Sequence, residues 1–95
     1  MANGWGFNVT CGARTFILEV TRPAGAVFSD MGLRYLGNGE YKVSFNYISD
    51  PGQGSPGTDR FDSGVAVPAT FDFIGELYLD GAPATSEIPV RRTCP

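Results

Sequence analysis

The stretch Leu33–Ile48, LRYLGNGEYKVSFNYI, constrains the fold of this chain more than any other. On its outgoing half Tyr41, Val43, Phe45 and Tyr47 alternate with Lys42, Ser44 and Asn46. That period of two gives a strand with one face on a core and the other in water. On the incoming half Leu33 and Tyr35 alternate with Arg34 and Leu36. Gly37-Asn38-Gly39 sits between the halves, and these residues tolerate the positive φ that a tight hairpin turn needs. A hairpin alone is marginal in water, so the remainder of the chain has to cover its apolar face.

The flanking segments have the same character. Trp5–Cys11 alternates Trp5, Phe7, Val9 and Cys11 with Gly6, Asn8 and Thr10. Arg14–Thr21 is apolar on both faces at Phe16-Ile17-Leu18, which predicts a central strand. Ala26–Phe28 reads as a short edge strand, with Ser29–Gly32 leading into the hairpin. Phe61–Val67 reads as a strand ended by Pro68. Thr70–Leu79 places Phe71, Phe73, Leu77 and Leu79 on one face, with Gly75 marking a bulge or a point of close packing. Asp80-Gly81 is a turn, Ala82–Ser86 a linker around Pro83, and Glu87–Thr93 a last strand kept to an edge by Pro89. Residues 49–63, SDPGQGSPGTDRFDS, lack periodicity and predict a long flexible loop. No segment holds a helical period over three turns. The expectation is one all-β domain over residues 1–95, a β-sandwich of seven or eight short antiparallel strands, with a small closed β-barrel as the alternative.

The segment Gly37-Asn38-Gly39-Glu40-Tyr41-Lys42-Val43-Ser44-Phe45 resembles the NGDGTYTVSY stretch of filamin-type and related bacterial immunoglobulin-like repeats. Gly54-Ser55-Pro56 is a fainter echo of the filamin PGSP. The resemblance covers about a quarter of the chain and implies an immunoglobulin-like sandwich that binds other proteins along a strand edge. The chain departs from the family in two ways. The echo lies inside a glycine-rich loop, and the cysteines stand near opposite ends of the sequence.

Composition excludes more functions than it assigns. There is no histidine, which removes Ser-His and Cys-His pairs and the commonest general base near neutral pH. The carboxylate pairs Asp59/Asp62 and Asp72/Glu76 remain, but a glycosidase needs two carboxylates flanking a cleft, which a domain of this size rarely encloses. The expectation is no enzyme, no cofactor and no metal. Asp50, Asp59 and Asp62 match no EF-hand spacing and read as solvated turn residues. A net charge of −3 without a basic patch argues against nucleic acid, and no apolar run reaches the roughly 20 residues of a membrane span.

Three binding readings remain. The first is a structural or protein-interaction module on an extracellular, fibre or virion surface, taking a protein partner or assembling with itself through Asp50, Gln53, Ser55, Asp59, Arg60 and Asp62 of the long loop. The second is a carbohydrate-binding module that stacks sugars on exposed aromatics, with Trp5, Tyr35 and Tyr78 as candidates. The third is a protease inhibitor presenting Arg60 on that loop. Met1-Ala2-Asn3-Gly4 has no signal-peptide pattern, which suits either a mature secreted domain or a virion component. Asn8-Val9-Thr10 is a glycosylation sequon.

Cys11 and Cys94 fit no CxxC redox or zinc motif. The expectation is a disulfide between them, tying the first strand to the last residues and closing a loop worth roughly 4.5 kcal/mol as an upper figure, with two free, buried thiols that act as small hydrophobes as the alternative. Alkylation without reductant followed by intact-mass measurement should leave both cysteines unlabelled; a doubly labelled chain contradicts the bond.

Overall fold

The computed structural model describes residues 4–66 and 70–93. Among them are eight strands: β1 (Gly6–Cys11), β2 (Thr15–Arg22), β3 (Ala26–Gly37), β4 (Glu40–Ser49), β5 (Gly57–Ala66), β6 (Thr70–Leu79), β7 (Ala82–Pro83) and β8 (Ile88–Thr93). They form two sheets. One has the order β1-β2-β5 with β2 central; the other runs β3-β4-β6, and both β7 and β8 pair with β6. The chain is all-β and stacks two sheets, so the closed-barrel alternative does not hold. Among the described residues no helix is long and apolar enough to cross a membrane.

The organising hairpin forms as the sequence dictates. β3 and β4 pair antiparallel, and the turn carries positive φ at Gly37, Asn38 and Gly39. The predicted inner face of β4 is the core: Val43, Phe45 and Tyr47 are buried. Opposite them Phe7, Val9, Phe16, Leu18 and Val20 come from β1 and β2 of the other sheet, while Phe73 and Leu77 of β6 lie beside them in the same sheet. The rings meet edge-on or tilted, with Phe16–Phe73 at 5.3 Å, Trp5–Tyr47 at 5.2 Å and Phe45–Phe61 at 5.2 Å between centroids. These are the favoured arrangements for aromatic quadrupoles.

Several expectations are corrected. The strands are not all antiparallel: β4 and β6 run parallel, from Glu40 opposite Asp72 to Tyr47 opposite Leu79. The ladder is fastened at both ends. Asp72 N–H donates to the Gly39 carbonyl at 3.0 Å, and Asp80 N–H donates to the Tyr47 carbonyl at 2.9 Å. The short edge strand Ala26–Phe28 and its lead-in are one continuous twelve-residue strand, β3, whose pairing with β4 slips between Phe28 and Asp30 and again between Tyr35 and Gly37. The flexible loop 49–63 is much shorter than expected, because residues from Gly57 onward form β5 on the edge of β2. The physical reason is that Phe61 supplies an inward anchor opposite Leu18, the inward Asp59 is satisfied by Tyr47 and Arg22, and Arg60 and Asp62 take the outward positions. The predicted strand end at Val67 and Pro68 lies outside the described residues. Within the linker, Ala82–Pro83 makes a short pairing with β6.

Gly75 is a point of close packing and not a bulge, since β6 keeps regular register with β4 through it. A Cβ built there would lie 2.4 Å from Cδ2 of Phe7. Gly75→Ala should therefore destabilise by about 1–3 kcal/mol, as overpacking does, and Phe7→Leu combined with it should recover part of that loss. Denaturant unfolding of the three variants checks this; simple additivity would show that the Phe7 ring moves aside freely.

Candidate functional site

The residues expected to form a contact loop do not share a surface. Asp50, Gln53 and Ser55 do lie on the β4–β5 connection, which folds back on itself: Gln53 N–H donates to the Asp50 carbonyl at 2.9 Å, and Asp50 N–H donates to the Gly25 carbonyl at 2.8 Å. The Arg22 guanidinium also donates to the Ser55 carbonyl. Asp59, Arg60 and Asp62 instead belong to β5. Asp59 points inward, where its carboxylate accepts from the Tyr47 hydroxyl at 2.6 Å and from Arg22 Nε at 2.9 Å. Burial, and then that neighbouring carboxylate, push the Tyr47 hydroxyl well above the ordinary tyrosine value. Asp59 is thus the partner of a core tyrosine, a role no local pattern announces.

Arg60 faces out and pairs with Glu19 at 3.4 Å, so it sits on a flat strand and not on an inhibitor-like loop. Asp62 also faces out and accepts from the Gly64 amide at 2.8 Å. That hydrogen bond, with one from Thr15, holds its carboxyl below the usual range. With Asp59 inward and Asp62 outward on one strand, the aspartates considered for a cation cannot converge.

The aromatic set is dispersed as well. Trp5 is only 4% exposed and belongs to the core. Tyr35 is 57% exposed near the hairpin tip, where its hydroxyl accepts from the Gly39 amide at 3.1 Å and its ring meets Tyr41 at 4.8 Å. It stands on the Tyr41 side of the sheet, whereas Tyr78 stands beside Asn46 on the other side. No platform unites the three. Cys94 lies outside the described residues, and Cys11, at the end of β1, is not a free thiol.

Two features remain whose arrangement the sequence did not show. The first is a polar network on the solvent face of the β3-β4-β6 sheet. The Ser44 hydroxyl donates to Glu76 Oε1 at 2.7 Å, the Tyr78 hydroxyl donates to Oε2 at 3.3 Å, and Lys42 Nζ lies 3.7 Å from Glu76 and 2.9 Å from Glu87. Beside it Arg91 clasps Asp72 with hydrogen bonds of 2.6 and 3.2 Å. The Ser44 hydroxyl and the Lys42 charge hold the Glu76 carboxyl below its ordinary value. The contact with Glu87, reinforced by the charge of Glu76, raises Lys42. Each of these charges has a partner, and the network braces the strands that carry them.

The second feature is the open edge of β3. This strand pairs with β4 on one side only, and among the described residues nothing hydrogen-bonds along its other side. The β4–β5 connection covers its start, where Gly54 packs on Ala26 and Val27. Beyond that point Phe28, Tyr35 and Leu36 are exposed. A sequence signal existed: the apolar alternation Phe28, then Met31, Leu33 and Tyr35 resumes after a slip of one residue at Ser29-Asp30, which is what a bulge does.

Comparison with models of known families, with curated proteins and with solved structures returns no match.

Glu76 makes the network's pH dependence testable. Its carboxyl is depressed in the folded chain, so its stabilisation is full above the ordinary glutamate value and is lost as pH falls through the lower folded value. Glu76→Gln should weaken the domain at neutral pH and flatten, in part, the loss of stability towards about pH 4 and below. Unfolding midpoints taken across that range decide it; an unchanged slope excludes Glu76.

Proposed function

We propose that this domain is a non-catalytic interaction module, displayed on an extracellular, fibre or virion surface, that takes a protein partner along the open edge of β3. One observation carries the reading. β3 is a twelve-residue edge strand with one side unpaired among the described residues and with exposed Phe28, Tyr35 and Leu36 along it. Unsatisfied backbone donors and acceptors in a row are a template for another strand, and proteins ordinarily shorten, charge or cover such an edge. The filamin-type resemblance around Gly37–Phe45 implies the same kind of contact. In this reading the sandwich is an immunoglobulin-like scaffold whose parallel β4–β6 pair is its own variation.

The Cys11–Cys94 bond belongs to the proposal, because an oxidising location is where such a staple persists. The Arg92 guanidinium donates to the Val9 carbonyl and, at 2.6 Å, to Asn8 Oδ1, which supports the bond by holding the end of β8 beside the end of β1.

Met31 N–H donates to Asp30 Oδ1 at 2.8 Å and so is directed away from β4; by alternation the Leu33 amide faces the same open side. Leu33→Pro removes a donor from the free edge without removing one from the β3–β4 ladder. The variant should fold, as read by its unfolding midpoint, and should lose partner capture from the native surroundings under cross-linking. Capture equal to that of the unaltered chain rejects the β3 edge as the binding site.

A further inference from the structure

Resting on the reading of β3 as a binding edge, the geometry points to a second copy of this chain as its partner, with two β3 strands pairing antiparallel about a two-fold axis at Gly32. Between its two slips of register β3 is regular from Asp30 to Tyr35. Asp30, Gly32 and Arg34 stand opposite Asn46, Ser44 and Lys42 and face solvent, whereas Met31 and Leu33 stand opposite Phe45 and Val43 and face the core. An antiparallel neighbour centred on Gly32 sets Asp30 against the partner's Arg34, Met31 against the partner's Leu33, and Gly32 against its own copy. Every pair then matches outward with outward and inward with inward.

The charges select this register. Arg34 makes no ion pair among the described residues, and the cation opposite it, Lys42, already has Glu87 and Glu76. Among the described residues, Asp30 has only the neighbouring Met31 amide as a partner. The two-fold gives each arginine an aspartate and each aspartate an arginine, two opposite-charge pairs directly across the strands. A shift of one residue would set Arg34 against Met31 and mix the faces. A shift of two would set Arg34 against Gly32 or Phe28 and remove both ion pairs.

The backbone fits as well. With the Met31 and Leu33 amides on the open side, these two residues form the hydrogen-bonded pairs, and Gly32 falls on the axis as a non-bonded pair, where opposed Cα atoms approach to about 4.5 Å. A Cβ at Gly32 would meet nothing within 4 Å in the single chain, so the solvent face of the sheet is open at the axis. Phe28 and Leu36, both exposed, lie at opposite ends of the stretch, and the two-fold brings one copy's Phe28 to the end that carries the partner's Leu36. Isologous closure of this kind ends at a dimer, with the two β3-β4-β6 sheets joined into one.

Light scattering across a concentration series, on the unaltered chain and on Asp30→Arg, Arg34→Asp and the double variant, tests the proposal. The unaltered chain should dimerise. Each single reversal should weaken the dimer by about tenfold or more, because like charges then face each other at both symmetric positions. The double reversal should restore it. Both side chains are exposed or solvent-facing, so folding is not at issue. Single variants that associate as the unaltered chain does, a double variant that does not recover, or growth beyond the dimer would each overturn the pairing. A chain that stays monomeric throughout overturns it too. In that case the broader reading is judged separately: partner capture lost in Leu33→Pro keeps the edge as a site for a different protein, and capture unaffected by it removes both.

Discussion

The contact between Phe7 and Gly75 sets how closely the two sheets approach. Phe7 comes from β1 at one outer edge of the first sheet, and its ring occupies the space a side chain on residue 75 would need. Around it Phe45 lies 5.8 Å from Phe7 between ring centroids, and Leu77 and Val43 are fully or almost fully buried. Stacked sheets ordinarily sit about 10 Å apart, a spacing set by interdigitating side chains. Here one side of that interdigitation is removed so that a phenylalanine can be seated against the backbone. Glycine carries an entropic penalty in a strand interior, and the buried ring is what offsets it.

The parallel pairing of β4 with β6 follows from what lies between them. Two parallel strands need a crossover, since a tight turn cannot join them. The chain meets this by leaving the sheet after Ser49, running β5 along β2 in the opposite sheet, and returning at Thr70. β4 is thereby flanked by β3 on one side and β6 on the other, and its inner face becomes the middle of the core. β3 is left as the outer strand. The open edge is thus a topological consequence of sending β5 to the other sheet.

Much of the fold was legible because periodicity reports burial directly. The faces of β1, β4 and β6 follow the alternation of Phe7/Val9, Val43/Phe45/Tyr47 and Phe73/Leu77, all of which are buried. Two kinds of feature were not legible. Bulges break the period of two, so Ser29-Asp30 looked like a connection although the strand continues through it. Charge also masks strand character: Gly57–Asp62 contains Asp59, Arg60 and Asp62, yet Asp59 is held by Tyr47 and Arg22, and Arg60 lies across from Glu19. Those partners are distant in sequence, and a single chain read locally does not show them. The alternation of β6 already places Tyr78 on the face away from Phe73 and Leu77, whereas the face of Tyr35, beyond the slip in β3, is settled only by its partner Tyr41.

The edges of the two sheets differ in how they are closed, and the difference bears on β3. β1 is covered by Arg92, whose guanidinium reaches the Val9 carbonyl and the Asn8 side chain. β8 is short and carries Pro89, which has no amide hydrogen to offer, and Arg91 beside it is committed to Asp72. β5 presents charged residues at Asp59, Arg60 and Asp62, each already engaged. β3 has a bulge at Ser29 and a single self-capped amide at Met31. After that it runs through Gly32, Leu33, Arg34, Tyr35 and Leu36 with no proline, and Arg34 makes no ion pair among the described residues. Blunting an edge keeps a monomer from pairing indiscriminately, and three edges here carry that protection. The fourth is only partly protected, by a carboxylate on the Met31 amide; in the proposed dimer the partner's Arg34 would take that carboxylate and leave the amide to pair across the axis.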